Sequence, residues 1–257
     1  MLLAIDIGNT NLTIGLYRGD VFGSHWRLGT DHHRMPDEYG LQLLGLLDHA
    51  GLKPEDLTGV SLSSVVPQLT SRLVEACNRY LHQNPLVIGP DLKTGFTIEY
   101  HSPAAVGPDR LADAAATVKL YGAPAIVVDF GTATSFNAIT AANQYLGGAI
   151  APGILTAADA LTEHTSRLPR IDVVKPPSVI GRNTVHAMQS GLFYGYVALV
   201  EGMITRMKLE MGGQAKTIAT GGLAELIAHE TKIFDIISPW LTLEGLRILW
   251  EMNQENL

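Results

Sequence analysis

Two stretches of the sequence share an arrangement of residues that could bind an oxygen-rich ligand. In the first, the uncharged apolar run 2–5 leads into Asp6, one further residue, Gly8 and then small polar residues. In the second, the apolar run 125–128 leads into Asp129 in the same way. Glycine allows a tight turn and close approach of a ligand, while hydroxyl and amide groups donate hydrogen bonds to oxygen atoms. A carboxylate at the end of a strand could also hold a hydrated Mg²⁺. The pattern therefore predicts two loops suited to phosphate groups, each with one carboxylate.

The repetition of this pattern also bears on the fold. Asp6 and Asp129 lie nearly half the chain apart, and each is followed by an alternating stretch, 13–17 or 135–139, that predicts a returning strand. An ordinary hairpin with a polar turn would account for either stretch alone. The repeat favours a duplicated unit, in which two such loops facing each other would form a phosphate clamp.

A third candidate is Asp109, which follows the turn-forming pair Gly107-Pro108 and precedes an alanine-rich helix expected over 111–120. A carboxylate at the start of a helix is commonly a cap, worth about 1 kcal/mol. In a phosphoryl transfer, a carboxylate can instead accept or orient the proton of the attacking hydroxyl. The residues alone leave both interpretations open.

Motifs typical of other chemistries are absent. The sequence contains no G-x-x-x-x-G-K-[S/T] loop, no H-E-x-x-H pair and no G-x-S-x-G serine motif. Its one cysteine, Cys77, excludes an intrachain disulfide and is interpreted as a buried small apolar residue. Acids, hydroxyls and glycines remain as the chemical groups, and this set suits phosphoryl transfer.

The order of predicted elements indicates an α/β fold in two lobes, 1–120 and 121–257, with a boundary near 121–124. Strands alternate with helices in the first half, and a strand at 96–100 is expected to lie at a sheet edge. A long helix is expected from Asn183 or Thr184 to about 210, and an amphipathic helix over 242–256 in the second lobe. Gly191 and Gly195 share one face of the long helix, which either packs within one subunit or, as we favour, forms a dimer contact.

Composition limits the classes of partner. The chain is 46% hydrophobic and 17% charged, with a net charge of −7, which argues against binding to nucleic acid or anionic membrane surfaces. The longest uncharged apolar run, 192–200, is far shorter than the roughly 20 residues that span a bilayer. No basic leader precedes the first strand, so a cytoplasmic protein is expected.

Four motifs occur in the order found in one known family. They are Asp6-Ile7-Gly8-Asn9-Thr10, Gly107-Pro108-Asp109-Arg110, Asp129-Phe130-Gly131-Thr132-Ala133 and Gly181-Arg182-Asn183-Thr184. Together with Thr220-Gly221-Gly222, they make the chain similar to type III pantothenate kinases over essentially its whole length. The resemblance implies two similar lobes of the ribonuclease H-like or actin-like fold, each a mixed sheet with flanking helices, with ATP in the cleft between them. It also implies phosphorylation of pantothenate as the first step toward coenzyme A, by a homodimer.

The resemblance further implies roles for particular residues. ATP contacts are implied for Asp6, Ile7, Gly8, Asn9, Thr10, Asn11, Leu12, Thr13 and Thr132. Pantothenate contacts are implied for Tyr100, Gly107, Pro108, Asp109, Arg110 and Thr184. Asp109 would be the proton acceptor, Asp6 would lie near Mg²⁺, directly or through water, and Asp129 would bind a monovalent cation, K⁺ or NH₄⁺. Independently of the resemblance, the paired glycines 221 and 222 would let a flat group approach the backbone, and adenine or ribose is expected.

Two alternatives remain beside this function. A different ATP-clamp kinase acting on another small alcohol would share Asp6, Asp129 and Thr132 but would need other substrate contacts. A nucleotide- or metabolite-sensing regulator on the same fold would be expected to lack the acid at position 109, which is present. Ser135 and Asn137 depart from the threonine and acid expected of the family there, so we assign Asn137 no metal role.

Overall fold

The computed structural model describes residues 1–254, and within them the chain forms eleven strands and seven α-helices. The strands are β1 (Leu2–Ile7), β2 (Asn11–Arg18), β3 (Val21–Gly29), β4 (Gly59–Ser64), β5 (Leu86–Val87), β6 (Thr97–Ile98), β7 (Ala125–Phe130), β8 (Ala133–Ile139), β9 (Gln144–Pro152), β10 (Lys216–Thr220) and β11 (Ile236–Ile237). The helices are α1 (Pro36–His49), α2 (Pro67–Ala76), α3 (Pro108–Ala116), α4 (Ile154–Glu163), α5 (Thr184–Glu210), α6 (Ala224–Ala228) and α7 (Leu241–Met252).

The first of two structural units comprises Met1–Phe96, Tyr100–Tyr121 and the segment from Leu241 onward. Its sheet has the strand order β3-β2-β1-β4-β5. The central strand β1 is antiparallel to β2 and parallel to β4. Every residue of β1 except Asp6 is buried, as the uncharged run predicted, because helices cover both faces of a central strand.

The second unit comprises Thr97–Glu99 and Gly122–Trp240. Its sheet has the order β11-β10-β7-β8-β9-β6, with β7 antiparallel to β8 and parallel to β10. Apart from the added edge strand β6, this order and these directions repeat those of the first sheet. The predicted duplication of a mixed sheet with flanking helices is therefore confirmed.

Two elements belong to a different unit from the one that the sequence indicated. Helix α7 was expected in the second lobe but packs on α3 in the first unit, where a Cβ atom on Gly245 would lie only 2.0 Å from the carbonyl oxygen of Ala112. The helix ends at Met252, and the last residues of its expected range, 255 and 256, lie outside the described part. The strand expected at 96–100 is β6, which lies at a sheet edge as predicted but pairs with β9 in the second unit. An amphipathic or edge-strand pattern identifies a buried face but not its distant partner, which is why both assignments were wrong.

In the described part of the chain, no helix is both long and apolar enough to cross a membrane.

Candidate functional site

The first predicted loop joins β1 to β2 and is held in place by a backbone hydrogen bond of its own and by Thr30. The amide of Gly8 donates a hydrogen bond of 2.9 Å to the carbonyl oxygen of Asn11, and the Thr30 hydroxyl donates one of 2.7 Å to the carbonyl oxygen of Gly8. A Cβ atom on Gly8 would crowd the same Asn11 oxygen at 3.1 Å. The side chains of Asn9, Thr10 and Asn11 are exposed. The loop therefore presents polar groups to solvent from a fixed turn.

The residues on either side of this loop differ in their exposure to solvent. Asp6 is half-buried, and it stands in register with Thr13 on β2 and Ser63 on β4. Ile7 and Leu12 also belong to the predicted nucleotide stretch, but their side chains are buried in the core. A nucleotide could reach these two residues only through their backbone atoms.

The second predicted loop joins β7 to β8 and is held by the start of α4. The carbonyl oxygen of Thr132 accepts hydrogen bonds from the Gly153 amide at 3.0 Å and from the Thr156 hydroxyl at 2.7 Å. A Cβ atom on Gly153 would lie 2.4 Å from the carbonyl oxygens of both Gly131 and Thr132. Only glycine fits there, and Thr132 itself remains exposed. Sequence reasoning missed Gly153 and Thr156, although the glycine-rich end of the preceding strand was a signal for the first.

Helix α5 also reaches this loop, through a tyrosine that the sequence did not single out. The buried hydroxyl of Tyr196 is hydrogen-bonded to the Thr134 hydroxyl and donates to the carbonyl oxygen of Pro152 at 2.8 Å. Removal from water raises the pKa of Tyr196, so its hydroxyl stays protonated. The tyrosine thereby links α5 to the start of β8 and to the end of β9.

Asp129 occupies in the second sheet the place that Asp6 has in the first. It is half-buried and stands in register with Ser135 on β8 and Thr220 on β10. Gly221 adopts a positive φ of 92°, and a Cβ atom there would lie 2.2 Å from Oδ1 of Asp129. The sequence interpretation gave Gly221 to a nucleotide base or sugar. In the structure, the lack of a side chain at Gly221 makes room for the Asp129 carboxylate.

Asp109 lies in the first turn of α3, since this helix begins at Pro108 rather than at the expected residue 111. Proline is favoured at the first helical position, where its missing amide is not needed. Burial raises the pKa of the Asp109 carboxyl above its ordinary value, while the Arg110 amide, which donates to Oδ1 at 2.8 Å, and the Arg110 charge oppose that rise. A carboxylate with a raised pKa is a better proton acceptor, because base strength increases with pKa.

Arg110, the residue after Asp109, contacts a further predicted residue, Tyr100. The guanidinium carbon of Arg110 is 5.8 Å from the centre of the Tyr100 ring, a cation–π contact between two half-buried side chains. A guanidinium held in this way offers a planar fork of donors to a carboxylate. The first unit thus holds a carboxyl group with a raised pKa next to an arginine that contacts an aromatic ring.

Thr184 belongs to the second unit. It is the first residue of α5 and is exposed, while Asn183 provides the cap by accepting a hydrogen bond of 2.8 Å from the His186 amide. Of the two capping residues that the sequence offered, the structure selects Asn183.

The donor groups fit a magnesium ion held mainly by phosphates. Residues 1–254 contain no group of three or more His, Cys, Asp or Glu side chains that could hold a metal ion alone. Mg²⁺ commonly binds through one or two carboxylates, waters and substrate phosphates, and Asp6 beside the polar loop could supply one such carboxylate. Asn137 is buried, donates to Ser135 and accepts from the Tyr145 hydroxyl at 2.8 Å, a structural role.

Comparison with known proteins adds a family and a fold. The family model described as type III pantothenate kinase matches residues 2–206. A type III pantothenate kinase from Moorella thermoacetica is 53% identical over 253 residues, which cover 98% of this chain and 100% of the relative.

Among solved structures, a protein described as a Baf family transcriptional activator from Campylobacter jejuni has a TM-score of 0.64 at 21% identity, covering 99% of this chain and 100% of that one. An inorganic polyphosphate/ATP-glucomannokinase from Arthrobacter sp. strain KM has a TM-score of 0.51 at 14% identity, covering 99% and 98%. At such low identities these likenesses concern the fold alone, and they confirm the predicted fold class.

Proposed function

Since this chain belongs to the type III pantothenate kinase family, we propose that it phosphorylates the primary hydroxyl of pantothenate with ATP, the first step toward coenzyme A. The observation that carries the proposal is the cluster at the start of α3. There, a carboxyl group with a raised pKa lies next to an arginine that contacts a tyrosine ring. A small alcohol that also bears a carboxylate matches these groups, because the arginine can bind its charge while the aspartate accepts its proton.

The nucleotide phosphates are assigned to the two polar loops. We assign Asp6 to Thr13 to the phosphates and Thr132 to a further ATP contact. The turns at Gly8 and Gly131 are fixed by backbone hydrogen bonds, which supports binding without much reorganisation. A divalent ion near Asp6, when bound, offsets the charge of the phosphate oxygens.

In the proposed transfer of the phosphoryl group, the protein positions the two substrates and supplies one proton acceptor. The pantothenate hydroxyl oxygen forms a bond to the γ-phosphorus, the bond from that phosphorus to ADP breaks, and the hydroxyl proton passes to Asp109. Arg110 binds the substrate carboxylate, while Tyr100 holds the guanidinium, and Gly107 and Pro108 shape the turn. Phosphoryl transfer requires mainly such orientation and charge stabilisation from a protein.

Asp129 and Thr184 are each assigned one ligand. We assign Asp129 to a monovalent cation, K⁺ or NH₄⁺, and the half-buried position of its carboxylate beside the Gly221 backbone supports this. Thr184, exposed at the first turn of α5, is assigned to pantothenate, across a dimer contact.

The proposed homodimer uses the exposed face of α5. Gly191 and Gly195 are exposed there, and a Cβ atom on either would meet no other described segment within 4 Å. Small residues four apart allow another helix to approach closely, so a second copy of α5 is a suitable partner. We propose a cytoplasmic location, where ATP is available.

Light scattering tests the dimer. We expect the unmodified protein to have the dimer mass and Gly195→Arg, which would place a large charge on this face, to have the monomer mass. Ala160→Arg on the exposed side of α4 is a control that should leave the mass unchanged. A monomer mass for the unmodified protein at working concentrations would contradict the dimer.

A coupled assay of ADP release, with and without pantothenate in potassium buffer, tests the reaction. We expect ADP release to depend on pantothenate, because its hydroxyl is the acceptor. Release that is unaffected by pantothenate but stimulated by another small alcohol would favour a different kinase of the same fold.

A further inference from the structure

Two hydroxyl groups sealed inside the sheets have no hydrogen-bond partner. They belong to Ser63 on β4, which is 0% exposed, and Thr220 on β10, which is 1% exposed. Most buried polar side chains in folded proteins have partners, because an unpaired one is unfavourable. Within residues 1–254 only two other side chains share this condition, Tyr17 and Thr117.

These two hydroxyls occupy equivalent positions. Ser63 pairs with Asp6 across the parallel strands β4 and β1, and Thr220 pairs with Asp129 across the parallel strands β10 and β7. Paired residues of neighbouring strands lie about 4.8 Å apart and point to the same face of the sheet. Each carboxylate of the two polar loops therefore has an unpartnered hydroxyl as its neighbour. Because this arrangement occurs in both units, we infer that the two hydroxyls have a functional role and are not retained for packing alone.

The backbone that follows Thr220 also lies close to the Asp129 carboxylate. The residue after Thr220 is Gly221, whose missing side chain leaves room for Oδ1 of Asp129, as described above. A threonine hydroxyl can take three staggered positions about the Cα–Cβ bond. Rotation about this bond is the motion by which the hydroxyl of Thr220 would turn toward the neighbouring carboxylate.

We propose that Ser63 and Thr220 are positioning residues, which donate a hydrogen bond to Asp6 and Asp129, respectively, when the ligands of these carboxylates are bound. This proposal rests on the assignment of Asp6 to nucleotide-bound Mg²⁺ and of Asp129 to a monovalent cation. A bound ion fixes one oxygen of a carboxylate, and a hydroxyl that donates to the other oxygen holds the orientation. The hydroxyl is unsatisfied in the free protein and satisfied in the loaded one, so the difference contributes to ligand affinity.

Removing the hydroxyls at nearly constant shape tests the proposal. The variants are Ser63→Ala and Thr220→Val, and the measurements are thermal unfolding of the free protein and calorimetric binding of a non-hydrolysable ATP analogue with Mg²⁺. Thermal shifts are also measured with KCl against NaCl. Because neither measurement needs pantothenate, failure of the proposed substrate assignment would leave this test intact.

We expect the free variants to unfold at the same temperature as the unmodified protein or higher, since an unsatisfied group is removed. Affinity for the analogue should fall about 10-fold or more in Ser63→Ala, the order expected for a hydrogen bond to a charged group. In Thr220→Val, the stabilisation specific to KCl should shrink or vanish. Ser63→Thr and Thr220→Ser keep a hydroxyl. Ser63→Thr should therefore bind the ATP analogue normally, and Thr220→Ser should keep the stabilisation specific to KCl.

Two controls separate this role from a structural one. Ser61 also lies on β4, but its hydroxyl donates to the carbonyl oxygen of Leu246 at 2.9 Å, so Ser61→Ala should lower the unfolding temperature. Thr117→Val removes another unpartnered buried hydroxyl, one that has no paired carboxylate, and should leave both binding measurements unchanged. If Ser63→Ala and Thr220→Val resemble Ser61→Ala in stability and bind ligands normally, the proposal is overturned.

Discussion

A Cβ atom added to Gly107 would lie 2.4 Å from Oδ1 of Asp109. The carboxylate of Asp109 therefore folds back over the turn that precedes α3, in space that only glycine leaves open. The φ of Gly107 is −59°, which any residue can adopt, so the requirement is for space and not for backbone freedom. The absence of a side chain at Gly107 thus determines where the Asp109 carboxylate can lie.

Replacing Gly107 by alanine should displace the Asp109 carboxylate while the fold survives, because the colliding atom belongs to the end of a side chain. We expect kcat to fall about 10-fold or more, since small misplacements of catalytic groups have large effects. Steady-state kinetics and circular dichroism would measure both effects. Gly45→Ala is the control, as a Cβ atom there meets nothing within 4 Å. Full activity in Gly107→Ala would mean that the carboxylate position seen here does not matter for turnover.

Replacing Asp109 by asparagine should reduce kcat by about 10²–10⁴-fold, the usual contribution of a general base. ATP binding should change little, because the assigned nucleotide contacts lie in the two polar loops. Steady-state kinetics and calorimetric titration with an ATP analogue would separate the two effects. An Asp109→Asn enzyme that runs near the full rate would remove the proton acceptor from our mechanism.

The raised pKa of Asp109 predicts opposite effects of pH on rate and stability. The base acts when ionised, so kcat/KM should fall as the pH drops through a pKa above the roughly 3.9 of a free aspartate. A folded-state pKa above the unfolded value favours the folded protein when the group is protonated, and this contribution is lost as pH rises through the folded pKa.

Asp109→Asn, which mimics the protonated form, should therefore be more stable than the unmodified protein at neutral pH. The gap should close in acid. Unfolding temperatures of both proteins between about pH 4 and pH 8 would measure it. A variant that is less stable at neutral pH would contradict the stated cause of the pKa shift.

The contact between Arg110 and Tyr100 predicts a graded series of substrate affinities. Arg110→Lys keeps the charge but loses the planar fork, so the KM for pantothenate should rise about 10-fold. Tyr100→Ala removes the ring and should raise this KM about two- to fivefold, as expected for a cation–π contact of ~0.5–1 kcal/mol. Tyr100→Phe keeps the ring and serves as the matched control. Equal effects of Tyr100→Phe and Tyr100→Ala would assign the role to the hydroxyl instead.

Exchange of K⁺ for Na⁺ should slow the reaction, because the smaller ion fits a different set of oxygen distances. Activity at constant ionic strength in KCl, NH₄Cl and NaCl would measure this dependence. The effect should be lost in Asp129→Asn, where the carboxylate charge is removed. Indifference of the unmodified protein to the exchange would remove the cation role of Asp129.

Local patterns were sufficient to predict the elements that carry the two polar loops. An apolar run followed by Asp-x-Gly describes the end of β1 and of β7 because burial, turn and polarity all change within a few residues. Even so, β1 continues through Asp6 to Ile7, so the acid lies within the strand rather than beyond it. Its register with Ser63 follows from pairing with a strand more than fifty residues later, and no local pattern contains that pairing.

The residues that hold the loops could not be identified in this way. Thr30, Thr156 and Tyr196 act through hydrogen bonds between segments that are distant in the chain. A threonine or tyrosine in these positions is equally typical of a strand end or a helix face. Only the folded arrangement shows which carbonyl oxygen each hydroxyl meets.

Helix α7 follows all of Gly122–Trp240 along the chain, yet Leu243, Leu246 and Leu249 are buried and the helix packs on α3 in the first unit. During translation, all of Gly122–Trp240 is therefore synthesised before α7, the helix that packs on the first unit. At about 5–20 residues per second, this delay is on the order of ten seconds. During that interval the nascent first unit lacks this helix, so the apolar surface that α7 covers stays exposed.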